Sequence, residues 1–163
     1  RKVQDLSAQL PVHIMGDIAG KTIIDMCSAP GGKTSQLLAK GANVIAIDQN
    51  EFRLNRMRDN IERLQLNENL TIKLSDAVKY TTREKVDIVL LDAPCSGTGT
   101  IRKNPDLPFL KDEGLIKSVA KLQRQMLTKA CELVKDGGTI IFATCSLQPE
   151  EGENHLLLSL IHI

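Results

Sequence analysis

Two cysteines occupy positions where a thiol could do chemistry. Cys95 lies in the run Asp92-Ala93-Pro94-Cys95-Ser96-Gly97-Thr98-Gly99, and Cys145 lies in Thr144-Cys145-Ser146. Each follows a short apolar run that predicts a β-strand, so both thiols are expected in loops at strand ends. A single cysteine is more often a small buried apolar residue than a nucleophile. The shared position favours reactivity, but these residues alone leave open which of the two would attack.

The remaining cysteines have weaker claims to chemistry. Cys27 lies in a glycine-containing loop, and Cys131 lies in a helical pattern where a structural role is expected. No two cysteines form a C-x-x-C pair and no histidine cluster accompanies them, so we expect no metal site. In a reducing cytoplasm all four would be thiols.

The segment Asp25-Met26-Cys27-Ser28-Ala29-Pro30-Gly31-Gly32-Lys33-Thr34 follows the first predicted strand. In a doubly wound sheet, this loop is where a nucleotide-like ligand meets backbone N–H groups and a helix N-terminus. The glycine pair permits a close approach, although an ordinary tight turn would also use it. A phosphate-binding loop is excluded, because Cys27 stands where its first glycine would fall and Pro30 interrupts it.

Aspartates are predicted at the carboxyl ends of the first four strands. They are Asp25, Asp48, Asp76 and Asp92. Asp48 follows Asp25 by 23 residues, a spacing typical of the acidic residue that binds ribose hydroxyls. Any single surface carboxylate could be incidental, but four in register indicate a ligand-binding rim.

Short apolar runs alternate with helical patterns, which predicts an α/β fold with a mostly parallel, doubly wound sheet. Strands are predicted at 22–26, 44–47, 70–74, 86–91 and 139–143, and helices at 33–40, 51–64, 113–134 and 150–160. The runs 86–91 and 139–143 are nearly all apolar, which favours burial on both faces.

Helical spacing predicts which residues face the core. For the helix at 51–64 they are Phe52, Met57, Ile61 and Leu64. For the helix at 113–134 they are Leu115, Val119, Leu122, Met126, Leu127, Ala130 and Val134. Asp136-Gly137-Gly138 is predicted to end that second helix.

The bulk composition is that of one globular domain. Of 163 residues, 42% are hydrophobic and 25% charged, which excludes a disordered chain. The 21 basic and 20 acidic residues give a net charge of +1, so a nucleic-acid contact would need a local patch such as Arg102 and Lys103. No run approaches the ~20 apolar residues of a membrane span, and we expect a cytoplasmic monomer. The domain is expected to cover 1–163 and to be truncated at both ends, with an uninformative or non-native apolar tail at 156–163.

Several segments together resemble the Sun family of RNA 5-methylcytosine methyltransferases. They are the runs 25–34, 92–99 and 102–106, and Thr144-Cys145-Ser146 followed by Pro149-Glu150-Glu151 and Glu153-Asn154. The opening Val3-Gln4-Asp5-x-Ser7-Ala8-Gln9 is similar to the segment that precedes the family's catalytic core. The resemblance covers nearly the whole chain and implies a Rossmann-like class I methyltransferase fold.

The resemblance implies methyl transfer from S-adenosylmethionine to carbon 5 of a cytosine in RNA, with 16S ribosomal RNA as the expected substrate. The cytosine would be single-stranded or flipped out, and an RNA-binding region would lie upstream. The implied cofactor-binding residues are Cys27, Ser28, Ala29, Pro30, Gly31, Gly32, Lys33, Asp48 at the ribose, Arg53, Asp76 near the adenine and Asp92 at the methionine end.

The resemblance also implies the catalytic roles, with Cys145 as the nucleophile and Cys95 assisting product release. A thiolate added to carbon 6 makes carbon 5 electron-rich enough to attack a sulfonium methyl group. Lys33 is the candidate for the positive potential that the thiolate needs. A protonated Asp92 would donate to the ring nitrogen as negative charge develops on the base.

Two alternatives from other classes stay open. In a DNA cytosine methyltransferase the Pro-Cys cysteine itself attacks, and the additional Cys145 disfavours this assignment. A cofactor-binding module without activity would not need Asp92, Cys95 and Cys145 together.

Overall fold

A computed structural model describes residues 4–155, in which five strands form one all-parallel sheet. The strands are β1 (Thr22–Met26), β2 (Asn43–Asp48), β3 (Leu70–Leu74), β4 (Val86–Asp92) and β5 (Val134–Ala143). Their order across the sheet is β3-β2-β1-β4-β5. The α/β class and the parallel, doubly wound sheet predicted from the sequence are confirmed.

Helices connect and flank the strands. They are α1 (Leu6–His13), α2 (Gly32–Ala39), α3 (Glu51–Arg63), α4 (Leu107–Leu110) and α5 (Glu113–Leu133), with short 3-10 helices at Thr98–Thr100 and Pro149–Glu151. The sequence analysis did not predict α1. In the region of the helix predicted at 150–160, the second 3-10 helix is followed by helical residues at 153–155, and positions 156–160, like the tail to 163, lie outside the described residues. No helix within 4–155 is long and apolar enough to cross a membrane.

The direction in which successive strands are added to the sheet reverses between β1 and β4, although all strands run parallel. From β1 the chain continues to β2 and β3 on one side, whereas β4 and β5 lie on the other. The loops that follow β1 and β4 therefore diverge and leave a crevice at the carboxyl edge of the sheet, which is where open α/β sheets bind ligands. Parallel pairing of Asp25 with Leu90 and of Asp92 with Ala143 brings the three loops after β1, β4 and β5 to this edge.

Apolar residues bury the three central strands, β2, β1 and β4, whereas the edge strands β3 and β5 contain no fully buried residue. β4 is buried along nearly its whole length, as its continuous apolar run predicted. The prediction of two-sided burial for 139–143 is wrong: Thr139 is exposed, and Ile140 to Ala143 are only partly buried. β5 is the outermost strand of the described sheet, so fewer elements cover it.

Two helix-face predictions need correction. On α3 the buried residues are Leu54, Met57 and Ile61, and Phe52 is 72% exposed. On α5 the burial of Met126 and Ala130 is confirmed.

The buried face of α5 also includes three residues that were not predicted to face the core. Its remaining buried positions are Ala120, Gln123 and Leu133. The predicted core residues Leu115, Val119, Leu122, Leu127 and Val134 are only partly buried.

The glycine pair after α5 belongs to the sheet instead of capping the helix. α5 ends at Leu133, and β5 begins at once with Val134. The pairing of β4 with β5 shifts register after Val86, so the segment with Gly137 and Gly138 forms an irregularity in β5. Gly137 has a φ of 73°, and a Cβ on Gly138 would lie 2.8 Å from the Asp87 carbonyl oxygen. Glycine is therefore required by the strand geometry.

Asp25 lies inside the protein, below the rim where it was predicted. Its side chain is completely buried, and its Oδ2 accepts a 2.6 Å hydrogen bond from Oγ1 of Thr34 on α2. Burial raises the pKa of Asp25 to about 7, against the lowering effect of the Thr34 hydrogen bond. The residue thus joins β1 to α2 beneath the loop that connects them.

We predict that Asp25→Asn changes how stability depends on pH. Between about pH 4 and pH 7 the folded protein holds a proton on Asp25 that the unfolded chain releases, so the free energy of unfolding of the wild type falls as pH rises through this window. The asparagine keeps an acceptor for Thr34 and has no such titration. Its stability relative to wild type should rise by roughly 2 kcal/mol between pH 5 and pH 8.

Urea unfolding of both proteins at the two pH values measures this difference. Asp17→Asn, at an exposed position, is the control and should show no comparable change. A wild type and Asp25→Asn that respond equally to pH would contradict the buried, proton-binding carboxyl group.

Candidate active site

The two loop cysteines meet at the carboxyl edge of the sheet. Cys95 follows β4 and Cys145 follows β5, and their Sγ atoms lie 3.0 Å apart. Cys145 is exposed and Cys95 is partly buried. The sequence placed both thiols in neighbouring loops, and the structure brings the sulfur atoms into hydrogen-bonding distance.

Backbone and hydroxyl contacts join these loops to each other. The Gly99 N–H donates to the Cys145 carbonyl oxygen at 2.9 Å, and a Cβ at Gly99 would lie 2.7 Å from that oxygen. The Ser146 hydroxyl lies 3.1 Å from the hydroxyls of both Ser96 and Thr98. The Leu147 N–H donates to Thr98 Oγ1 at 2.9 Å. The two cysteine loops therefore form one connected unit.

The two thiols share a negative charge unequally. A hydrogen bond from Cys145 lowers the pKa of Cys95 to about 6, from an ordinary 9.0, in spite of burial. The same hydrogen bond, burial, and the nearby charges of Cys95 and Asp92 raise the pKa of Cys145. The shared hydrogen bond therefore favours one thiolate and one thiol, with the charge on Cys95.

Lys33 and Asp92 form an ion pair across the crevice. Nζ of Lys33, in the first turn of α2, lies 2.6 Å from Oδ2 of Asp92, the last residue of β4. The sequence analysis expected Lys33 to supply positive potential to the nucleophilic thiolate, but in the structure its ammonium group contacts the Asp92 carboxylate. The pair connects the loop after β1 with the loop that carries Cys95.

A cavity of about 690 Å³ opens at these residues. Its walls include Lys33, Asp92 and Cys145 from the sheet edge. Opposite them lie residues of the N-terminal segment and of the loop after β4, among them Asp5, Ser7, Pro11, Arg102 and Lys103. The ammonium group of Lys103 contacts the Asp5 carboxylate. The cavity is large enough for a nucleobase with part of its backbone.

The loop between β1 and α2 has an unusual backbone. Cys27 has a φ of 59°, Ala29-Pro30 is a cis peptide, and Gly31 has a φ of 91°. A Cβ on Gly31 would lie 2.5 Å from Cγ of Met57, so glycine allows α3 to pack directly on the loop. Ser28 is buried, and its hydroxyl donates to the Ile47 carbonyl oxygen. These backbone angles make the connection at the carboxyl end of β1 a tight loop and not an extended segment.

Cys27 is not a reactive thiol. Burial, followed by the nearby Asp48 and Asp25, raises its pKa to about 12. Cys131, for which a structural role was expected, lies on an exposed part of α5. Of the four cysteines, Cys95 and Cys145 are the two that lie together at the crevice.

Asp48 and Arg53 both contact Ala29 in the loop between β1 and α2. Asp48 is buried at the end of β2, and its carboxylate accepts the N–H groups of Ala29 (3.1 Å) and Asn50 (2.9 Å). The Arg53 guanidinium contacts the Ala29 carbonyl oxygen and lies 3.9 Å from the Asp48 carboxylate. Both predicted cofactor residues therefore contact the loop after β1, where they hold Ala29 in place.

Asp76 lies farther along the rim. It follows β3, accepts the Val78 N–H at 2.9 Å and pairs with Lys79 at 3.8 Å. The Ser75 N–H donates to the Asp48 carbonyl oxygen at 3.1 Å, which joins the ends of β2 and β3. Asp48, Asp76 and Asp92 are therefore the rim aspartates, and Asp25 is the exception.

Three buried polar residues near the cysteines were not singled out by their sequence positions. They are Gln123 on α5, Glu151 in the second 3-10 helix and His155 after it. A signal was available for Gln123, because it stands at helical spacing from the core residues Met126 and Ala130 while being polar. Glu151 entered the sequence analysis only as part of the run Pro149-Glu150-Glu151, with no role of its own, and His155 carried no signal; a charged residue after a strand is normally solvated.

Comparisons with known proteins agree with this geometry. The family model described as 16S rRNA methyltransferase RsmB/F matches residues 13–160. Ribosomal RNA small subunit methyltransferase B of Citrobacter koseri is 42% identical over 160 residues, which are 95% of this chain and 37% of that protein. The chain thus spans somewhat over a third of the length of such curated relatives.

Solved structures are similar over almost the whole chain. The crystal structure of PH0851 superposes with a TM-score of 0.94 at 33% identity, covering 99% of this chain and 38% of that one. The structure of NSun6 from Pyrococcus horikoshii with SFG gives a TM-score of 0.88, also at 33% identity, covering 98% and 41%. The resemblance to the Sun family is confirmed, and the chain belongs to the RsmB/F family of 16S rRNA methyltransferases.

Proposed function

We propose that this chain is the catalytic core of an enzyme that transfers a methyl group from S-adenosylmethionine to carbon 5 of a cytosine in 16S ribosomal RNA. The observation that carries the proposal is the Cys95–Cys145 pair, with sulfur atoms 3.0 Å apart beside the Lys33–Asp92 ion pair. Family membership and the relatives named as ribosomal RNA methyltransferases support it.

The residues present suit S-adenosylmethionine, whose sulfonium supplies an electrophilic methyl group. The tight loop from Cys27 to Lys33 lies at the crevice between β1 and β4, where a nucleoside ligand is expected. Asp48 would bind the ribose and Asp76 would lie near the adenine. Arg53 would keep the loop in place, and Asp92 would lie near the methionine end. The NSun6 relative was solved with a ligand, SFG, which supports a cofactor site in this fold.

Cys145 would form the covalent bond to the base. Its exposure to the cavity suits attack, and its proton can pass to solvent or to the Cys95 thiolate 3.0 Å away. The Cys145 sulfur would bond to carbon 6, and the electron pair of the 5,6 double bond would become available at carbon 5. Carbon 5 then gains the methyl group, whose bond to the sulfonium breaks.

Asp92 and Lys33 would neutralise the charge that develops on the ring. Both line the cavity, and the 2.6 Å contact between them keeps a proton donor at its wall. In this proposal Asp92 would pass a proton to the ring nitrogen during attack, and the Lys33 ammonium group 2.6 Å away would supply that proton.

Cys95 would complete the cycle. After methylation, carbon 5 carries both a methyl group and a proton, and the proton must leave as the bond between Cys145 and carbon 6 breaks. A thiolate at Cys95, returned to that form by proton loss to solvent, can accept this proton. The low pKa of Cys95, about 6, makes its thiolate available at neutral pH.

RNA contacts in this segment would come from a small basic patch. Arg102 and Lys103 line the cavity opposite the cysteines, where they can reach a backbone phosphate next to the target base. With one tyrosine, three phenylalanines and no tryptophan, the chain offers few platforms for base stacking. Much of the RNA affinity is therefore assigned to the rest of the full-length protein.

We predict opposite outcomes for the two cysteines in the full-length protein. Cys145→Ala should lower methyl transfer by on the order of 10³-fold or more, because no covalent bond to carbon 6 can form. Cys95→Ala should form that bond and fail to break it. Denaturing gels of each variant with unmodified 16S transcript and S-adenosylmethionine will show whether a protein–RNA adduct of reduced mobility accumulates.

Cys131→Ala is the matched control, since Cys131 is a free thiol remote from the loops, and it should behave as wild type. An adduct with Cys145→Ala and none with Cys95→Ala would reverse the two assignments. That reversed pattern is the one expected of an enzyme in which the Pro-Cys cysteine attacks.

A second prediction concerns the cofactor. Asp48→Asn removes the charge of the carboxylate expected at the ribose, and it should weaken S-adenosylhomocysteine binding about tenfold, or about 1.4 kcal/mol. Calorimetry with the full-length protein measures the dissociation constant. Asp59→Asn, at an exposed position of α3, is the control and should leave it unchanged. Equal affinity of wild type and Asp48→Asn would refute the ribose assignment.

A further inference from the structure

Two polar side chains that are completely buried hold the backbone on either side of Cys95. They are Gln123 on α5 and Glu151 in the 3-10 helix Pro149–Glu151, each with 0% exposure. Neither touches a cysteine sulfur in the hydrogen-bond contacts of the described residues. Their partners are instead Pro94 and Ser96, the residues before and after Cys95.

Glu151 binds the peptide group that follows Cys95. Its carboxylate oxygens lie 2.9 and 3.2 Å from the Ser96 backbone nitrogen. A carboxylate without exposure to water is costly unless hydrogen bonds compensate for its lost hydration. A loop at the rim of a sheet would ordinarily satisfy its N–H groups with water. Here the N–H group of Ser96 is held instead by the buried side chain of Glu151, which lies 55 residues later in the chain.

Gln123 binds the peptide group that precedes Cys95. Its amide nitrogen donates to the Pro94 carbonyl oxygen at 2.8 Å, and its amide oxygen lies 2.8 Å from Nε2 of His155. The amide oxygen can only accept, so Nε2 of His155 carries the proton. Burial lowers the pKa of His155, which favours this neutral form. The Gln123 side chain is thereby held in one orientation.

The two contacts together determine the direction of the Cys95 side chain. The Pro94 carbonyl and the Ser96 N–H belong to the two peptide planes joined at the Cα atom of Cys95. Because hydrogen bonds to Gln123 and Glu151 fix both peptide planes, the Cα–Cβ bond of Cys95 has a set direction. It points into the crevice, where the Cys95 sulfur lies 3.0 Å from that of Cys145. A displacement of about 1 Å at such a position can change a rate by about 10²-fold.

We propose that Glu151 and Gln123 are positioning residues that aim Cys95 for product release. The inference rests on the proposed function, in which Cys95 accepts the proton from carbon 5. The Cys145 sulfur is exposed and can lose its proton to solvent, and the contacts of Glu151 and Gln123 are to Ser96 and Pro94, so attack needs no bond to either residue. Loss of the Glu151 or Gln123 contact should therefore slow release of the adduct more than its formation, although Cys95 itself is intact.

The test uses the full-length protein with unmodified 16S transcript and S-adenosylmethionine. Glu151→Leu removes the acceptor for Ser96 and should slow release by about 10- to 100-fold, seen as an adduct that accumulates on denaturing gels. Glu151→Gln keeps one acceptor oxygen and should restore most of the release rate. Glu150→Leu changes the exposed neighbouring acid and should leave both rates unchanged.

Gln123→Met provides an independent route to the same result. It replaces the amide by a side chain of similar length within α5 and removes the hydrogen bond to Pro94. Adduct accumulation in this variant supports the inference even if Glu151→Leu does not fold, as thermal melting will report. A merely structural defect would reduce adduct formation together with turnover.

The inference is overturned if the folded Glu151→Leu and Gln123→Met variants release product at the wild-type rate. It is also overturned if their rates of adduct formation and of product release fall by the same factor. Cys95→Ala, run in parallel, separates this from failure of the proposed function. If Cys95→Ala also forms no adduct, the function assigned to Cys95 is wrong. If Cys95→Ala forms the adduct and the other two variants do not, only the positioning role fails.

Discussion

A hydrogen bond between two thiols is the interaction on which this site depends. Over 3.0 Å, one sulfur stabilises the negative charge of the other, which favours one thiolate and one thiol. Neither loop could set that distance alone, since each extends from a different strand. Strand pairing sets it: Asp92 is in register with Ala143, and the Ala93 N–H donates to the Ala143 carbonyl oxygen at 2.9 Å. The parallel ladder thus continues into the first residues of the loops that carry the thiols.

Collecting carboxylates at one edge of a sheet creates repulsion, which the protein relieves in three different ways. Asp25 is buried, and its raised pKa lets it remain protonated well above the usual range for a carboxyl group. Asp48 is buried too, but it is stabilised by two backbone N–H groups. Asp92 faces the cavity and is paired with Lys33. Aspartates near the carboxyl ends of β1, β2 and β4 therefore have distinct surroundings, and of these three Asp92 is the one that lines the cavity.

Features that depend on neighbouring residues in the sequence were predictable, and features that depend on contacts between distant residues were not. Strands were predictable because burial of short apolar runs is a local pattern, and the loops with the cysteines followed from the strand ends. On α3, spacing alone would select Leu54, three residues before Met57; the size of Phe52 gave the wrong answer. The helical spacing of Gln123 indicated a buried polar side chain, but its partner, Pro94, lies 29 residues away and is not specified by any local pattern. Distances between loops depend on register and on such buried contacts, which a single sequence does not encode locally.

The conformation of the loop after β1 also explains in physical terms why it is not a phosphate-binding loop. Such loops direct several backbone N–H groups at an anion. Here those groups have partners within the protein: the Ser28 N–H donates to the Ile47 carbonyl oxygen, the Ala29 N–H to Asp48, and the Gly31 N–H to the Ser28 carbonyl oxygen. The loop therefore offers shape and packing in place of an anion cradle. That is what the proposed cofactor requires, because it joins an adenosine to an amino acid without any phosphate, and its positive sulfonium is better placed beside carboxylates than beside N–H dipoles.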